Sequence, residues 1–295
     1  MKQRFSRKPG GSSRNGRPPI ASGARSSPEI QVTNLQHGVF EEARRLNPRF
    51  VPDRPLLVAT LEVAWAPRQP RRAIASMEEK LLLFAPGLRH HQCRGPDGYL
   101  VFSSSEHGDG AVAPEPKRSA PDAAQGNEMY DPGLALAHLL EHVIIDSQCS
   151  VTGERTCSGV TGAHRSASCR YDIMVECREL AIGCCCLALA VGWFRSLLRS
   201  GSMGGAEKES LSALQWIHHH APGVVFSVGL ARFLGWSEER AERALATLHG
   251  TGYLETRTYG VNLSGLKEYR RRGERDFDAG LGQGGHPSNC GAREA

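Results

Sequence analysis

The sequence lacks an uninterrupted apolar segment long enough to cross a membrane. Its longest apolar run, Leu180–Phe194, reads LAIGCCCLALAVGWF and ends at Arg195. This run is shorter than the ~20 residues that a transmembrane helix needs. The N-terminus has no apolar stretch either, so no secretory signal is predicted. We therefore expect a cytoplasmic protein in which residues 180–194 form a buried core helix.

Acidic residues are absent from the first 28 residues, which hold seven Lys or Arg together with many Gly, Ser and Pro. Such a segment cannot bury a core, so we predict a disordered basic arm over 1–28. Its charge would attract an acidic partner weakly and in a salt-dependent way, unless it is only a solvated tail. The Gly-rich residues 273–295 are predicted to form a second disordered tail.

Cysteine pairs of the C-x-x-C type are also missing, although the chain has nine cysteines. Structural zinc sites usually contain such pairs, so the widely spaced Cys149, Cys157, Cys169 and Cys177 do not indicate one. The three consecutive cysteines at 184–186 point in different directions on a helix and suit packing as small apolar residues. An odd number of cysteines without a secretory signal favours free thiols in a reducing compartment.

The spacing of apolar residues predicts an α+β fold with two folded domains, 45–200 and 208–272, joined by a linker at 201–207. In the first domain we expect a small sheet packed against an apolar helix that carries histidines. We predict strands at 56–64, 99–103 and 170–176, helices at 76–84 and 178–199, and a flexible loop at 107–127. In the second we predict helices at 211–219, 228–234 and 237–249, a hairpin of 253–258 with 260–263, and a basic tail.

The most informative residues lie in the segment 134–148, LALAHLLEHVIIDSQ. A helix that starts after Asp131, with Pro132 at its first position, would place His138, Glu141 and His142 on one face. Two imidazoles and a carboxylate on an apolar wall are costly unless something pairs with them, and a divalent metal is such a partner. H-x-x-E-H is also the motif of inverted zincins. The alternative is that both histidines are core residues with satisfied hydrogen bonds.

Residues of about 45–200 resemble the N-terminal domain of cyanophycin synthetases. The stretches that carry the resemblance are LEVAW, SMEEKLLLFAPGLRHHQC, AHLLEHVIIDSQ, SGVTGAHR and YDIMVECRELAIG. The resemblance covers only that domain. No G-x-x-x-x-G-K-[ST] phosphate loop is present, and we expect the chain to lack the ATP-grasp and ligase domains that follow in that family.

The resemblance implies a metal-dependent hydrolase site, because this domain is understood to trim an Asp–Arg polymer in some synthetases. His138 and His142 would then bind zinc, or alternatively manganese, and Glu141 would be the general base. A further carboxylate ligand would be Glu176 or Glu179, and the sequence does not choose between them. Asp146, one turn beyond His142, suits a carboxylate that holds a ligand histidine in one tautomer.

Residues 208–272 resemble a winged helix, on the segments VGLARFLG, SEERAERALATLHGTGYL and LKEYRRR. Such a domain would place the helix at 237–249 in a DNA major groove, with Arg240, Arg243 and Arg257 available for phosphates. Glu238, Glu239 and Glu242 leave that helix without positive excess, which argues against strong DNA binding. Winged helices also bind proteins.

The first hypothesis is therefore a zinc-dependent hydrolase that cleaves amide bonds in a peptide or a cyanophycin-like polymer. The second is a non-enzymatic regulator that binds DNA through the C-terminal domain, aided by the basic arm. The third is an accessory protein with a degenerate metal site that only binds polymer.

Overall fold

The computed structural model describes residues 29–65, 67–83, 85, 87–88, 91–93, 100–104, 131–164, 167–202, 205–221, 223–258 and 267–273. The predicted basic arm and the predicted loop at 107–127 lie outside the described residues. The predicted C-terminal tail also lies outside them, apart from Gly273.

Six strands form one antiparallel sheet in the order β1-β2-β6-β5-β4-β3. They are β1 (Glu29–Gly38), β2 (Leu56–Ala64), β3 (His91–Cys93), β4 (Leu100–Ser104), β5 (Ser158–Ala163) and β6 (Arg170–Glu176). Side chains alternate between the two faces of a strand. On β6, Tyr171, Ile173 and Val175 join the main core, whereas Met174 packs with Phe50 and Val160 in a small cluster on the other face.

Four helices belong to the same part of the chain. They are α1 (Ala43–Leu46), α2 (Pro70–Leu81), α3 (Pro132–Thr152) and α4 (Leu180–Ser200). The helix α3 contacts β5, β6 and α4. It starts as predicted, because the Asp131 carboxylate accepts hydrogen bonds from Gly133 N at 2.8 Å and Leu134 N at 3.2 Å. It ends at Gly153, whose φ of 72° is left-handed and favours glycine. Most of its side chains are buried, so polar residues on it require partners.

The C-terminal elements are α5 (Gly205–His220), β7 (Val224–Val225), α6 (Ser227–Leu234), α7 (Glu238–Gly250), β8 (Leu254–Thr258) and β9 (Lys267–Arg271). The three strands form an antiparallel sheet in the order β7-β9-β8. The helix α5 packs against α3 and α4, and Cys185 Sγ lies 3.3 Å from Thr251 Oγ1. The main cluster of buried apolar residues includes residues of both predicted domains, so the two share a core.

The structure confirms the α+β class, and the predicted strands 56–64 and 170–176 have the observed bounds. Two predictions need correction. The helix α5 begins at Gly205, inside the predicted linker 201–207. The strand that pairs with β8 is Lys267–Arg271, in the segment predicted as a basic tail, because Tyr269 buries its ring there. The strand predicted at 260–263 lies outside the described residues.

Among the described residues, α4 is the one helix long and apolar enough to span a membrane, and 78% of its apolar window is buried inside the structure. Such burial is typical of the core helix of a soluble protein. It agrees with the expectation that residues 180–194 form a buried helix.

Candidate functional site

The candidate site is the cluster of His138, Glu141 and His142 on α3, at the spacing that the sequence predicted. Glu141 is fully buried, and each histidine is 8% exposed. His138 Nδ1 lies 3.4 Å from Glu141 Oε2. The two imidazole rings have centroids 4.2 Å apart with an interplanar angle of 64°. The structure therefore brings all three side chains together, and of the three the two histidines are the ones with exposed surface in the described part of the chain.

The Glu141 carboxylate is enclosed by β5. The Thr161 hydroxyl donates a hydrogen bond to Glu141 Oε2. The other oxygen, Oε1, has no hydrogen-bond partner among the described residues. It lies against the backbone of Gly159, where a Cβ would come within 2.5 Å of it. Only glycine at position 159 leaves room for this carboxylate.

Burial raises the pKa of Glu141 above its ordinary value, and the contacts with His138 and Thr161 oppose this change only in part. Desolvation penalises the charged carboxylate, so Glu141 takes up a proton more readily than an exposed glutamate. A carboxyl group with a raised pKa is suited to accepting and returning a proton near neutral pH.

The two imidazoles also constrain each other electrostatically. Two imidazolium ions at this separation with little access to water would repel strongly. A neutral imidazole nitrogen is the form that binds a metal.

Glu176, one of the two predicted carboxylate ligands, lies elsewhere. Its Oε1 accepts from Val51 N at 2.6 Å, and its Oε2 accepts from Arg54 Nη1 at 2.8 Å and Ser158 N at 3.1 Å. On β6 it has the parity of Met174, so it faces away from α3. Three donors, one of which is the cationic Arg54, make Glu176 a structural carboxylate that joins the segment before β2 to β5.

Glu179, the other predicted carboxylate ligand, occupies the N-cap position of α4. Its Oε2 lies 3.0 Å from Arg271 Nη2 and its Oε1 lies 3.6 Å from His218 Nε2. Burial lowers the pKa of His218 below its ordinary value. The negative charge of Glu179 acts in the other direction but is the smaller effect. Glu179 thus connects α4 to α5 and β9 rather than approaching the two imidazoles.

Asp146 lies on α3, one turn beyond His142 as predicted. Its carboxylate packs against Gly87, where a Cβ would come within 1.7 Å of Asp146 Oδ1. The described contact of Asp146 is therefore with the segment that follows α2.

The residues around His138 fit a metal in part. Two neutral imidazoles at this separation are suitable nitrogen ligands, and a carboxylate lies beside one of them. Neither Glu176 nor Glu179 joins them. Within the part of the chain that the structure describes, no group of three or more His, Cys, Asp or Glu side chains is arranged to hold a metal ion.

The three arginines considered for nucleic acid have different surroundings. Arg240 Nε lies 2.7 Å from Glu209 Oε1, and its guanidinium lies 4.6 Å from the centre of the Trp236 ring. Arg243 and Arg257 are exposed. Glu242 on the same helix accepts from Tyr269 at 2.7 Å and pairs with Lys267 at 3.1 Å. Arg240 therefore pairs with groups of the protein itself, and α7 has no excess of positive charge.

Sequence reasoning missed Gly159 and Thr161, the two β5 residues that enclose Glu141. They lie in SGVTGAHR, which contributed to the resemblance but received no role. The packing of α3 on β5 brings these two residues to the Glu141 carboxylate.

Comparison of the chain with protein-family models and with curated proteins finds no match to either, so the chemistry assigned to this site depends on its own geometry and on the resemblance described above.

Proposed function

We propose that the protein is a cytoplasmic, metal-dependent hydrolase that cleaves amide bonds. The observation that carries the proposal is the pair of nearly buried imidazoles, His138 and His142, with ring centroids 4.2 Å apart beside the buried Glu141 carboxylate. Three ionisable side chains buried together on an apolar helix are costly, because hydrophobic packing does not stabilise them. A bound cation would stabilise them.

Each residue has a distinct role in this proposal. His138 and His142 would hold zinc or manganese through their ring nitrogens. A metal held there would supply Lewis acidity for a scissile carbonyl and would make water a stronger acid. Glu141 accepts a proton at Oε2 and returns it to the leaving amine, a task that its raised pKa favours. The proposal does not require Glu176 or Glu179, since both already have cationic partners.

The substrate class comes from the resemblance alone. A peptide or a cyanophycin-like Asp–Arg polymer contains the amide bond that such a site would cleave. The position of the two histidines, as the partly exposed members of the cluster, supports an approach of the substrate from their side.

An activity assay tests this function. Purified protein supplied with zinc or manganese should release amines from casein peptides or from cyanophycin. Glu141→Gln should remove the activity and keep the metal, because the carboxamide keeps the shape of the side chain but cannot hold the proton. His249→Ala changes an exposed histidine on α7 and should leave the activity unchanged. Equal activity of wild type and Glu141→Gln would contradict the proposal.

A second candidate concerns the C-terminal elements, and the observation that favours it is their order. The helix α5, the strand β7, the helices α6 and α7 and the strands β8 and β9 follow one another as in a winged helix. We propose that this unit is a winged helix in which α7 corresponds to the recognition helix. The ion pair of Arg240 with Glu209 opposes DNA binding by α7, and the packing of α5 on α3 favours contact with protein.

A gel shift with duplex DNA across a salt series separates these two uses of the winged helix. Only weak, salt-sensitive binding is expected, unchanged by Arg243→Gln. Tight binding that Arg243→Gln abolishes would favour the DNA-binding regulator instead.

A further inference from the structure

Two cysteines meet where the chain passes from α3 into β5. Cys149 lies in the last turn of α3, and Cys157 directly precedes the first residue of β5. Both are free thiols, and their side chains hydrogen-bond to each other. The Cys157 thiol also donates to the Glu176 carbonyl oxygen at 3.3 Å. With the Cys157 proton directed at that carbonyl, the Cys149 thiol is the donor between the two sulfurs.

The two thiols differ in their access to solvent. Cys157 is 2% exposed, whereas Cys149 is half-buried. The hydrogen bond with Cys149, burial and the charges of Glu176 and Glu154 raise the pKa of Cys157 well above its ordinary value, so Cys157 stays a thiol and is a poor first nucleophile. Cys149 is therefore the member of the pair that a dissolved oxidant reaches, and Cys157 is placed to react with Cys149 in turn.

The position of the pair in the chain makes bond formation a local event. Only residues 150–156 separate the two cysteines, and α3 and β5 hold the ends of this segment. The sulfurs are already in hydrogen-bond contact in the folded protein, so their approach to the ~2.05 Å of an S–S bond requires no unfolding.

We propose that Cys149 and Cys157 are a reversible redox pair that forms an intramolecular disulfide when the protein meets hydrogen peroxide. The Cys149 sulfur attacks one peroxide oxygen, the O–O bond breaks, and Cys149 becomes a sulfenic acid while water leaves. The Cys157 sulfur then attacks the Cys149 sulfur. An S–S bond forms, the S–O bond breaks, and the hydroxyl group leaves as water with the Cys157 proton.

Reduction by a dithiol returns both cysteines to thiols. Disulfides in a reducing compartment are usually transient and of this redox-sensing kind. The bond would fasten the end of α3, which carries Glu141, to the start of β5, which encloses that carboxylate. This inference does not depend on the proposed hydrolase function.

Peptide mapping of the full-length protein tests the pair, because trypsin cuts after Arg155, between the two cysteines. Reduced protein is treated with hydrogen peroxide, the remaining thiols are alkylated, and the tryptic peptides are analysed by mass spectrometry without reduction. Peptide 119–155 should be found linked to peptide 156–165, and dithiothreitol should separate the two. The other described cysteines lie on three different tryptic peptides, so an incorrect pairing is identified directly: 166–170, 171–178 and 179–195.

Three variants assign the order of the steps. Cys157→Ser should stop the reaction at a sulfenic acid on Cys149, which dimedone traps. Cys149→Ser should give neither the linked peptides nor a trapped product at Cys157. Cys169→Ser is the matched control, since it removes an exposed thiol and should keep the linked peptides. Circular dichroism checks that each variant is folded.

The absence of the linked peptides from peroxide-treated wild type would overturn the proposal. Cys149 linked mainly to any peptide other than 156–165, or a link that dithiothreitol does not separate, would overturn it as well. These outcomes are read from wild type, so they decide the question even if a serine variant does not fold.

Discussion

Thr161 on β5 donates a hydrogen bond to the buried carboxylate of Glu141 on α3. This contact ties the central helix to the sheet at the position where the helix carries its three ionisable residues. It explains how Glu141 remains fully buried without a cationic arginine or lysine beside it among the described residues. The predictions below follow from this contact and from the carboxylates that sequence reasoning associated with it.

Gly159→Ala should disturb both the fold and the site. The added methyl group would lie 2.5 Å from Glu141 Oε1, 2.9 Å from Ile145 Cδ1 and 3.0 Å from the Met174 carbonyl oxygen. Overpacking of this kind costs about 1–3 kcal/mol of unfolding free energy, measurable by urea denaturation. The control is Gly192→Ala in α4, where a methyl group meets nothing within 4 Å. That change should raise stability by up to about 1 kcal/mol, because alanine is the better helix former. Equal effects of the two substitutions would contradict the packing described.

Arg54→Met should destabilise the protein without affecting metal binding. It removes the cation that lies 2.8 Å from the buried Glu176 carboxylate, which is 2% exposed. Leaving a buried charge without its partner typically costs about 3–5 kcal/mol, and the two backbone donors to Glu176 reduce this cost. Urea denaturation measures the loss.

Glu176→Gln tests the same assignment from the other side. As a structural carboxylate, Glu176 should leave zinc content unchanged when it is replaced, while stability falls. Loss of zinc with unchanged stability would instead make Glu176 a ligand, as the resemblance implied.

The free energy of unfolding should decrease as the pH becomes acidic, in part because of His218. Burial lowers its folded-state pKa below the unfolded value of about 6.5, with Glu179 opposing this and His219 and Arg271 reinforcing it. The unfolded chain therefore binds more protons, and stability falls as pH decreases from about 6.5 toward the lowered folded pKa. His218→Gln should flatten this part of the profile of melting temperature against pH. A steeper profile in the variant would show that the contact with Glu179 dominates.

Sequence reasoning succeeded where the information is local. Asp131 and Pro132 define the start of α3, and apolar alternation defines β2 and β6. The spacing of His138, Glu141 and His142 alone was sufficient to place them together. These features depend on neighbours within about one helical turn or one strand.

It failed where pairing at long range decides the structure. The strand β5 contains Gly159 and Gly162, which weaken strand propensity, and its pairing with β4 and β6 overrides that. The strand β9 was not predicted because its sequence is rich in charged residues, which are typical of exposed segments. Glu268 is nevertheless buried in it. The contact of Arg54 with Glu176 joins residues 122 positions apart, and no local sequence pattern predicts it.

The most direct test of the central claim is the metal content of the purified protein, measured by mass spectrometry on wild type, His138→Ala, His142→Ala and His249→Ala after addition of zinc and removal of the excess. The proposal predicts about one zinc ion per chain in wild type and in His249→Ala, and strongly reduced zinc in the other two variants. No zinc in wild type, or equal zinc in all four proteins, would contradict it.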